Sequence, residues 1–236
     1  MLATLVAYLR AAEAGGLAPA DALPKFTVAL AADADQFSTI AKLRAARRLV
    51  WRVADACGAG DAAGRIPLAA VTAWRMMAKR DPWTNMLRTT MACAAAALGG
   101  ADSITVLPYT FALGRPDRFA RRIARNTQLV LAEESSLGRV ADPAGGSWYV
   151  EKLTDEMAGK GWELFQQIET EGGMAAALAS PRGIVWQKLA APLLVIRNSR
   201  RSIGRSPRSG HAACIKAQPR PENNGPRRAS GRPLFL

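Results

Sequence analysis

Side chains that could act as acids, bases, nucleophiles or metal ligands are few and poorly spaced in this sequence of 236 residues. Glu133 and Glu134 are neighbouring carboxyl groups, but adjacent residues of a helix point about 100° apart and cannot face one substrate as acid and base. The single histidine, His211, lies in a basic segment near the C-terminus. The three cysteines show no C-x-x-C spacing, which favours idle thiols over a zinc site or a disulfide framework. We therefore predict no catalytic residue and no metal ligand.

Arginines at helical spacing form a charged motif in DRFARRIARNTQ, residues 117–128. Arg118, Arg121, Arg122 and Arg125 would share one helical face, where guanidinium groups could bind the phosphates of a ligand. The same face could instead be solvated or lie against another subunit, and we favour this second interpretation.

A second candidate interface lies in DPAGGSWYVE, residues 142–151, where Pro143 and two glycines permit a tight turn. Trp148 and Tyr149 combine an apolar ring system with a polar group, and such side chains are suited to an interface. Packing of both residues in the core fits the pattern equally well. The predicted subunit-interface residues are Trp148, Tyr149, Arg121, Arg122 and Arg125.

A long apolar stretch occupies the position where an enzyme of the barrel type usually carries its functional groups. Residues 69–90, AAVTAWRMMAKRDPWTNMLRTT, are typical of the end of a buried strand, a loop and the start of a helix. Such junctions usually hold acids, bases or ligands, whereas this one holds mainly Ala, Val, Trp and Met. We expect Asp81 to lie near the helix N-terminus and Arg88 to form a salt bridge, both in structural roles.

The elements that must position these residues alternate between strand and helix. Apolar runs at 26–32, 66–74 and 103–109 predict buried strands, and a helical pattern follows each of them. The predicted helices cover residues 2–13, 36–58, 81–98, 117–135 and 154–171, and either Asp33 or Asp35 is expected to cap the second of them. Consecutive strand–helix units predict an α/β fold with a parallel sheet. Three or four units are about half of an eight-stranded (β/α)8 TIM-type barrel, and the sheet edges would need to be covered.

The net charge of +13 comes mainly from the C-terminal part of the sequence. Residues 197–236 contain ten Lys or Arg and one Glu, a net charge of +9, so the first 196 residues carry only +4. The apolar periodicity also ends near residue 192, beyond which Arg, Pro, Ser and Gly dominate. This composition predicts a disordered basic tail over residues 192–236.

Two interpretations of this tail are open. An Arg-rich segment can bind RNA, DNA or an acidic surface by neutralising phosphates, although no aromatic residue for stacking on bases precedes Phe235. A shift of the reading frame near Ala191 in GC-rich DNA would produce the same composition. We favour the frameshift over nucleic-acid binding.

The remaining composition is that of an ordinary globular protein, with 49% apolar residues available for a core. No apolar run reaches the roughly 18 residues of a membrane-spanning helix. The first residues lack the basic region and the cleavage site of a signal peptide. We expect a soluble, cytoplasmic protein that does not bind a membrane.

Three stretches of the sequence together carry a resemblance to a known family. They are RDPWTNMLRTT at 80–90, GGADSITVLPY with ALGRPDRFARRIARNTQLVLAEES within 99–135, and DPAGGSWYVEKLTDEMAGKGWELFQQIE at 142–169. These stretches resemble the adenosylcobalamin-dependent acyl-CoA mutases, the family of methylmalonyl-CoA mutase. The resemblance extends to GIVWQKLA at 183–190 and covers about four-fifths of the chain, but only the second half of the family's substrate-binding barrel.

The resemblance implies an isomerase that interconverts methylmalonyl-CoA and succinyl-CoA, with the acyl-CoA held along the barrel axis and cobalamin supplied by a separate domain. Catalytic members carry an HCQTSG-like segment where this chain has AAVTAW at 69–74. They also carry an NAFDEA-like segment where Leu107 and Phe111 replace its Asn and Glu. His211 does not lie in a DxHxxG arrangement and cannot be the lower cobalt ligand. These departures match the family's small, non-catalytic subunits.

The sequence therefore predicts the C-terminal half of a TIM-type barrel at 1–180, the end of the resemblance at 181–191 and the tail at 192–236. We expect a chain truncated at its N-terminus that binds no cofactor, while the holoenzyme uses adenosylcobalamin. The expected partner is the catalytic large subunit in a heterodimer. The alternatives are nucleic-acid binding through the tail and a non-functional pseudogene product.

Overall fold

The computed structural model describes residues 1–180 and two short strands further along the chain, and its centre is a parallel sheet. The parallel strands are β1 (Phe26–Ala32), β2 (Leu68–Thr72) and β3 (Ser103–Thr105). Val28 of β1 is opposite Leu68 of β2, and Ala69 of β2 is opposite Ser103 of β3. The predicted α/β fold with a parallel sheet is confirmed, although β2 and β3 are shorter than the apolar runs that predicted them.

Eight α-helices lie in the same described range. They are α1 (Leu2–Ala14), α2 (Pro19–Ala22), α3 (Gln36–Ala56), α4 (Gly60–Ala63), α5 (Thr84–Leu98), α6 (Arg118–Leu129), α7 (Trp148–Thr170) and α8 (Gly173–Ala179). Asp35 caps α3 by accepting a hydrogen bond from the backbone N–H of Ser38 at 3.2 Å. Asp117 caps α6 in the same way through Ala120 at 2.7 Å. A π-helical turn at Val130–Glu134 extends α6.

The start of α7 differs from the prediction, which placed it at residue 154. The helix begins at Trp148, directly after a turn in which Gly146 adopts a φ of +78°. A positive φ costs glycine little, so the chain can reverse there and enter the helix at once. The glycines mark the turn, and the segment WYVEKL that follows them is helical.

Alternating burial along the strands gives the sheet two different faces. Val28, Leu30 and Leu68 are buried in the main core, together with side chains of α3 and α5. Residues between them, such as Ala29 and Ala69, point to the opposite face and are half-buried. Both connecting helices therefore pack on the same face of the sheet, and the other face carries small side chains.

Two antiparallel strands cover the edges of the parallel sheet. β4 (Val195–Asn198) pairs with β1, and β5 (Cys214–Lys216) pairs with β3, which gives the order β4-β1-β2-β3-β5. At these two strands the structure differs from the expected disordered tail. Backbone pairing with an open edge needs no particular side chain, so tail composition alone does not exclude it. The segment 181–191, the rest of the tail and His211 lie outside the described residues.

None of the helices in the described ranges combines the length and the apolar character needed to cross a membrane.

Candidate functional site at the carboxyl ends of the strands

The carboxyl ends of β1, β2 and β3 meet at one edge of the sheet, which is the usual place for a ligand in parallel α/β proteins. The connections that leave this edge cover residues 33–35, 73–83 and 106–117. The second connection lies in the apolar stretch singled out in the sequence. These loops therefore form the candidate site.

At the end of β1, polar groups bond to one another and to the backbone. The Thr39 hydroxyl accepts from the N–H of Asp33 and donates to its carbonyl, each at 3.1 Å. The Asp33 carboxylate accepts from the N–H of Ala34 at 2.7 Å and lies 3.7 Å from the Nε of Arg75. The first turn of the connection is thus fixed by its own side chains.

Lys42 of α3 reaches the same strand end and donates a hydrogen bond to the carbonyl of Ala31. Burial lowers the pKa of Lys42, and the positive charge of Arg75 acts in the same direction, while Asp33 and Asp35 oppose the shift. The ammonium group is hydrogen-bonded to the strand end and does not point into an open site.

At the end of β2, Thr72 joins the second strand to the connection that follows the third. Its side chain is fully buried, and its hydroxyl accepts a hydrogen bond from the backbone N–H of Leu107 at 2.8 Å. A buried hydroxyl with this partner stabilises the edge and is not accessible to a substrate.

Asn85 in the first turn of α5 is the polar centre of the site. Its amide oxygen accepts from the N–H of Ala78 and from Nη1 of Arg88, both at 2.9 Å. Its amide nitrogen donates to the carbonyls of Ala78 and Tyr109, also at 2.9 Å. These four bonds use the hydrogen-bonding capacity of the amide, so Asn85 fixes two loops and has none left for a ligand.

The structure agrees with the position predicted for Asp81 and gives Arg88 a partner other than the predicted one. Asp81 accepts from the backbone N–H of Thr84 at 3.3 Å and from its hydroxyl, and these hydrogen bonds lower the pKa of Asp81. Its position at the start of α5 is as expected. Arg88 donates to the neutral amide of Asn85, and its positive charge helps to lower the pKa of Asp81, but it forms no salt bridge within the described residues. Sequence reasoning did not identify Asn85, and only its place in RDPWTN could have drawn attention to it.

Aromatic and aliphatic groups form the outer surface of the site. Trp83 stacks on the buried Tyr109 with ring centroids 5.0 Å apart and ring planes 25° from parallel. Trp74, Phe111 and Leu113 are also exposed on these loops. Arg75, Lys79, Arg80 and Arg115 are exposed on the same loops, so the surface at this edge combines apolar and basic groups.

The predicted interface residues lie on two helices. On α6, Arg121 donates to the carbonyl of Pro116 at 2.5 Å, Arg122 lies over the ring of Phe119 with its guanidinium carbon 5.3 Å from the centroid, and Arg125 is exposed. These contacts are local to the start and the surface of the helix.

On α7, Trp148 is 93% exposed and Tyr149 contacts Phe37 edge-to-face with centroids 5.3 Å apart. The alternative prediction that Trp148 packs in the core is therefore wrong. A role of Trp148 in an interface stays a prediction.

The other candidate reactive groups are not assembled into a site. Glu133 and Glu134 are exposed on the π-helical turn. Cys57 is exposed, whereas Cys93 is buried, and burial raises the pKa of the Cys93 thiol to about 11. Within the residues that the structure describes, no group of three or more His, Cys, Asp or Glu side chains could hold a metal ion.

The fold and the site define an α/β domain of consecutive strand–helix units whose usual ligand-binding edge is held together by internal hydrogen bonds of Asn85 and Thr72. The sequence model of the family "Methylmalonyl-CoA mutase" matches residues 1–192. The chain belongs to the methylmalonyl-CoA mutase family, and the resemblance found in the sequence is confirmed.

Relatives named as small subunits are similar over most of this chain. The methylmalonyl-CoA mutase small subunit of Streptomyces virginiae is 57% identical over 190 residues, which are 80% of this chain and 30% of the relative. The small subunit of Propionibacterium freudenreichii subsp. shermanii is 46% identical over 75% of this chain and 28% of its own length. The methylmalonyl-CoA mutase of Escherichia coli K12 is 36% identical over 86% of this chain and 29% of its own length. The chain thus spans about 30% of these relatives.

Proposed function

We propose that this chain is a non-catalytic part of a methylmalonyl-CoA mutase small subunit that binds and stabilises the catalytic large subunit. The names of the more similar relatives support a subunit role. The enzyme would be an isomerase of methylmalonyl-CoA and succinyl-CoA, and this chain would contribute scaffold to it.

One observation carries the proposal: at the carboxyl edge of the sheet, the side chains of Thr72 and Asn85 are occupied by hydrogen bonds within the protein. The buried hydroxyl of Thr110, in the third connection, has no hydrogen-bond partner among the described residues. Thr72 accepts from Leu107, and Asn85 makes four internal hydrogen bonds. An active site needs polar groups that reach substrate atoms. At this edge the groups with the best positions serve to hold the loops.

The residues at this edge do not fit adenosylcobalamin, the cofactor that the family implies for the holoenzyme. Leu107 and Phe111 occupy positions where the catalytic type carries Asn and Glu, and neither side chain can hydrogen-bond. Ala69, Ala70 and Val71 replace the imidazole and amide groups of the HCQTSG-like segment. We therefore assign no step of the reaction to this chain.

The arrangement of the sheet supports a place in one half of a TIM-type barrel. The three parallel strands follow each other in chain order, and α3 and α5 pack on one face. In a (β/α)8 barrel all helices lie outside and the opposite face of the sheet lines the interior. The half-buried residues Ala29, Ala31 and Ala69 would face that interior. Further parallel strands of a barrel would have to take the places that β4 and β5 occupy beside β1 and β3.

An activity and stability assay tests the proposal. The purified chain, given adenosylcobalamin and methylmalonyl-CoA, is expected to form no succinyl-CoA above the rate of a heat-denatured sample. Added to the purified catalytic subunit, it is expected to raise the melting temperature of that subunit, because a partner that binds only the folded state stabilises it. Succinyl-CoA formation by the chain alone would contradict the non-catalytic role, and an unchanged melting temperature would contradict the supporting role.

A further inference from the structure

The helix α5 has an outward face that is unusual for a protein surface. Its 15 residues contain a single charged side chain, Arg88. Trp83, Leu87 and Met91 follow each other at intervals of four residues and are 58%, 69% and 41% exposed. Side chains at this spacing lie in one row along a helix. We call Trp83, Leu87 and Met91 the α5 stripe.

The α5 stripe is not needed for the packing of α5 on its own domain. The opposite side of the helix is already buried in the core through Ala92, Cys93 and Ala96. A surface helix normally places charged residues opposite such a buried side, and a helix that is apolar all round is normally covered. A continuous exposed apolar row of this kind marks an interaction site.

The neighbouring helix carries further exposed apolar side chains, together with the exposed arginines Arg122 and Arg125. α6 packs beside α5 and has exposed Phe119, Leu129 and Val130. A specific interface usually buries about 800 Å² on each partner, more than three side chains supply. The α5 stripe would be the centre of a contact that extends onto α6.

The charge around the stripe is positive. Residues 74–130 contain nine Lys or Arg and three Asp. The three acids are engaged, because Asp81 and Asp117 accept hydrogen bonds at helix starts and Asp102 pairs with Arg47 at 3.0 Å. Lys79 and Arg80 are exposed just before the helix. A partner that covers the stripe must bring acidic groups to meet this charge.

We propose that the α5 stripe, with Lys79 and Arg80 at its rim, binds an acidic amphipathic helix of the catalytic subunit of the mutase. This inference rests on the proposed function, which supplies the partner. A straight row at intervals of four residues fits the ridge of a helix packed alongside it. The apolar row provides the buried centre of the contact, and the basic rim provides the attraction and the orientation.

Binding of the full chain to the purified catalytic subunit, measured by titration calorimetry, tests this surface. Leu87→Glu is expected to weaken binding at least about tenfold, because it places a charge in the buried centre. Val140→Glu is the matched control, since Val140 is 64% exposed and lies in the loop before α7. Both variants are expected to melt like the parent chain, because neither side chain belongs to the core.

A charge reversal tests the rim independently of the row. Lys79→Glu combined with Arg80→Glu is expected to weaken binding and to flatten its dependence on salt. The inference is overturned if Leu87→Glu and Val140→Glu bind equally well while the parent chain binds. Sedimentation velocity that shows a homodimer dissociated by Leu87→Glu would also overturn it, in favour of a second copy. No binding by the parent chain would contradict the proposed function itself.

Discussion

The helices α3 and α5 both connect neighbouring parallel strands, yet their outer surfaces are completed in opposite ways. On α3, Arg48 pairs with Asp155 of α7 at 2.5 Å, and Arg52 lies over the ring of Trp162 at 3.9 Å from its centroid. On α5, the outer surface is the apolar stripe, with no acidic helix of the described residues upon it. The described residues cover α3 with a charged helix and leave the stripe of α5 exposed.

The same strand–helix unit can therefore have its outer surface covered by its own chain or left open to a partner. Arg44 and Arg48 of α3 pair with Glu151 and Asp155 of α7. The α5 stripe needs an apolar cover that the described chain does not supply. A subunit of the kind proposed above is expected to show both kinds of surface, since only part of its boundary would be solvent in an assembly.

Among the substitutions that compare the α3 side with the α5 side, Asn85→Ala is expected to reduce stability most. It removes the buried amide that holds α5 to two loops. The substitution leaves the N–H and carbonyl of Ala78 and the carbonyl of Tyr109 without their partner. Unpaired buried groups are costly, and we expect a loss of about 3 kcal/mol in the free energy of unfolding. Urea denaturation measures it.

Asn126→Ala is the control for this change, because Asn126 is exposed on α6 and its loss should cost below about 0.5 kcal/mol. Equal stability of the two variants would show that Asn85 does not fix the α5 side.

A smaller effect is expected from Thr72→Val, which keeps the side-chain shape and removes the hydroxyl. The backbone N–H of Leu107 then loses its acceptor in a buried site. We expect a loss of about 1–2 kcal/mol in the free energy of unfolding. Thr27→Val in β1 is the control, since Thr27 is only half-buried and valine suits a strand. If both variants unfold at the same urea concentration, the bond from Leu107 contributes nothing.

The sequence predicted the elements better than the contacts between them. β1 occupies the expected residues 26–32, and Asp35 caps the helix that follows, because both features depend on local patterns. The four bonds of Asn85 and the long-range pairing of Arg44 with Asp142 depend on loops that meet only in the folded chain. No local pattern predicts such meetings.

In the candidate site, too, residue types could be predicted from the sequence and contacts could not. The family resemblance and the apolar character of residues 69–74 could be recognised in the sequence, since they are properties of residue types. The use of Thr72 and Asn85 as internal links could not, because their partners lie 35 and 24 residues away. The exposure of the α5 stripe likewise required the fold, since an apolar helix face usually indicates a core.

The smallest effects on stability are expected from substitutions in two ion pairs of α3, one largely buried and one exposed. Arg44 is largely buried and bonds to both Asp142 and Glu151. Burial opposes its charge, but the two carboxylates outweigh this and raise the pKa of Arg44. Arg44→Met should therefore cost about 1–2 kcal/mol in the free energy of unfolding, because the turn before α7 loses its anchor.

Arg48→Met is the matched change at an exposed pair, where both side chains are more than half accessible. Solvent and salt screen such a pair, and we expect a cost below about 0.5 kcal/mol. Melting is measured at low and at high salt. High salt should reduce the stability cost of Arg48→Met toward zero and leave most of the stability cost of Arg44→Met. If the two variants instead lose the same stability and respond equally to salt, then α7 is held to α3 by its apolar contacts. The difference between α3 and α5 would then lie only in their apolar cover, because charged pairs would stabilise the outer surface of neither helix.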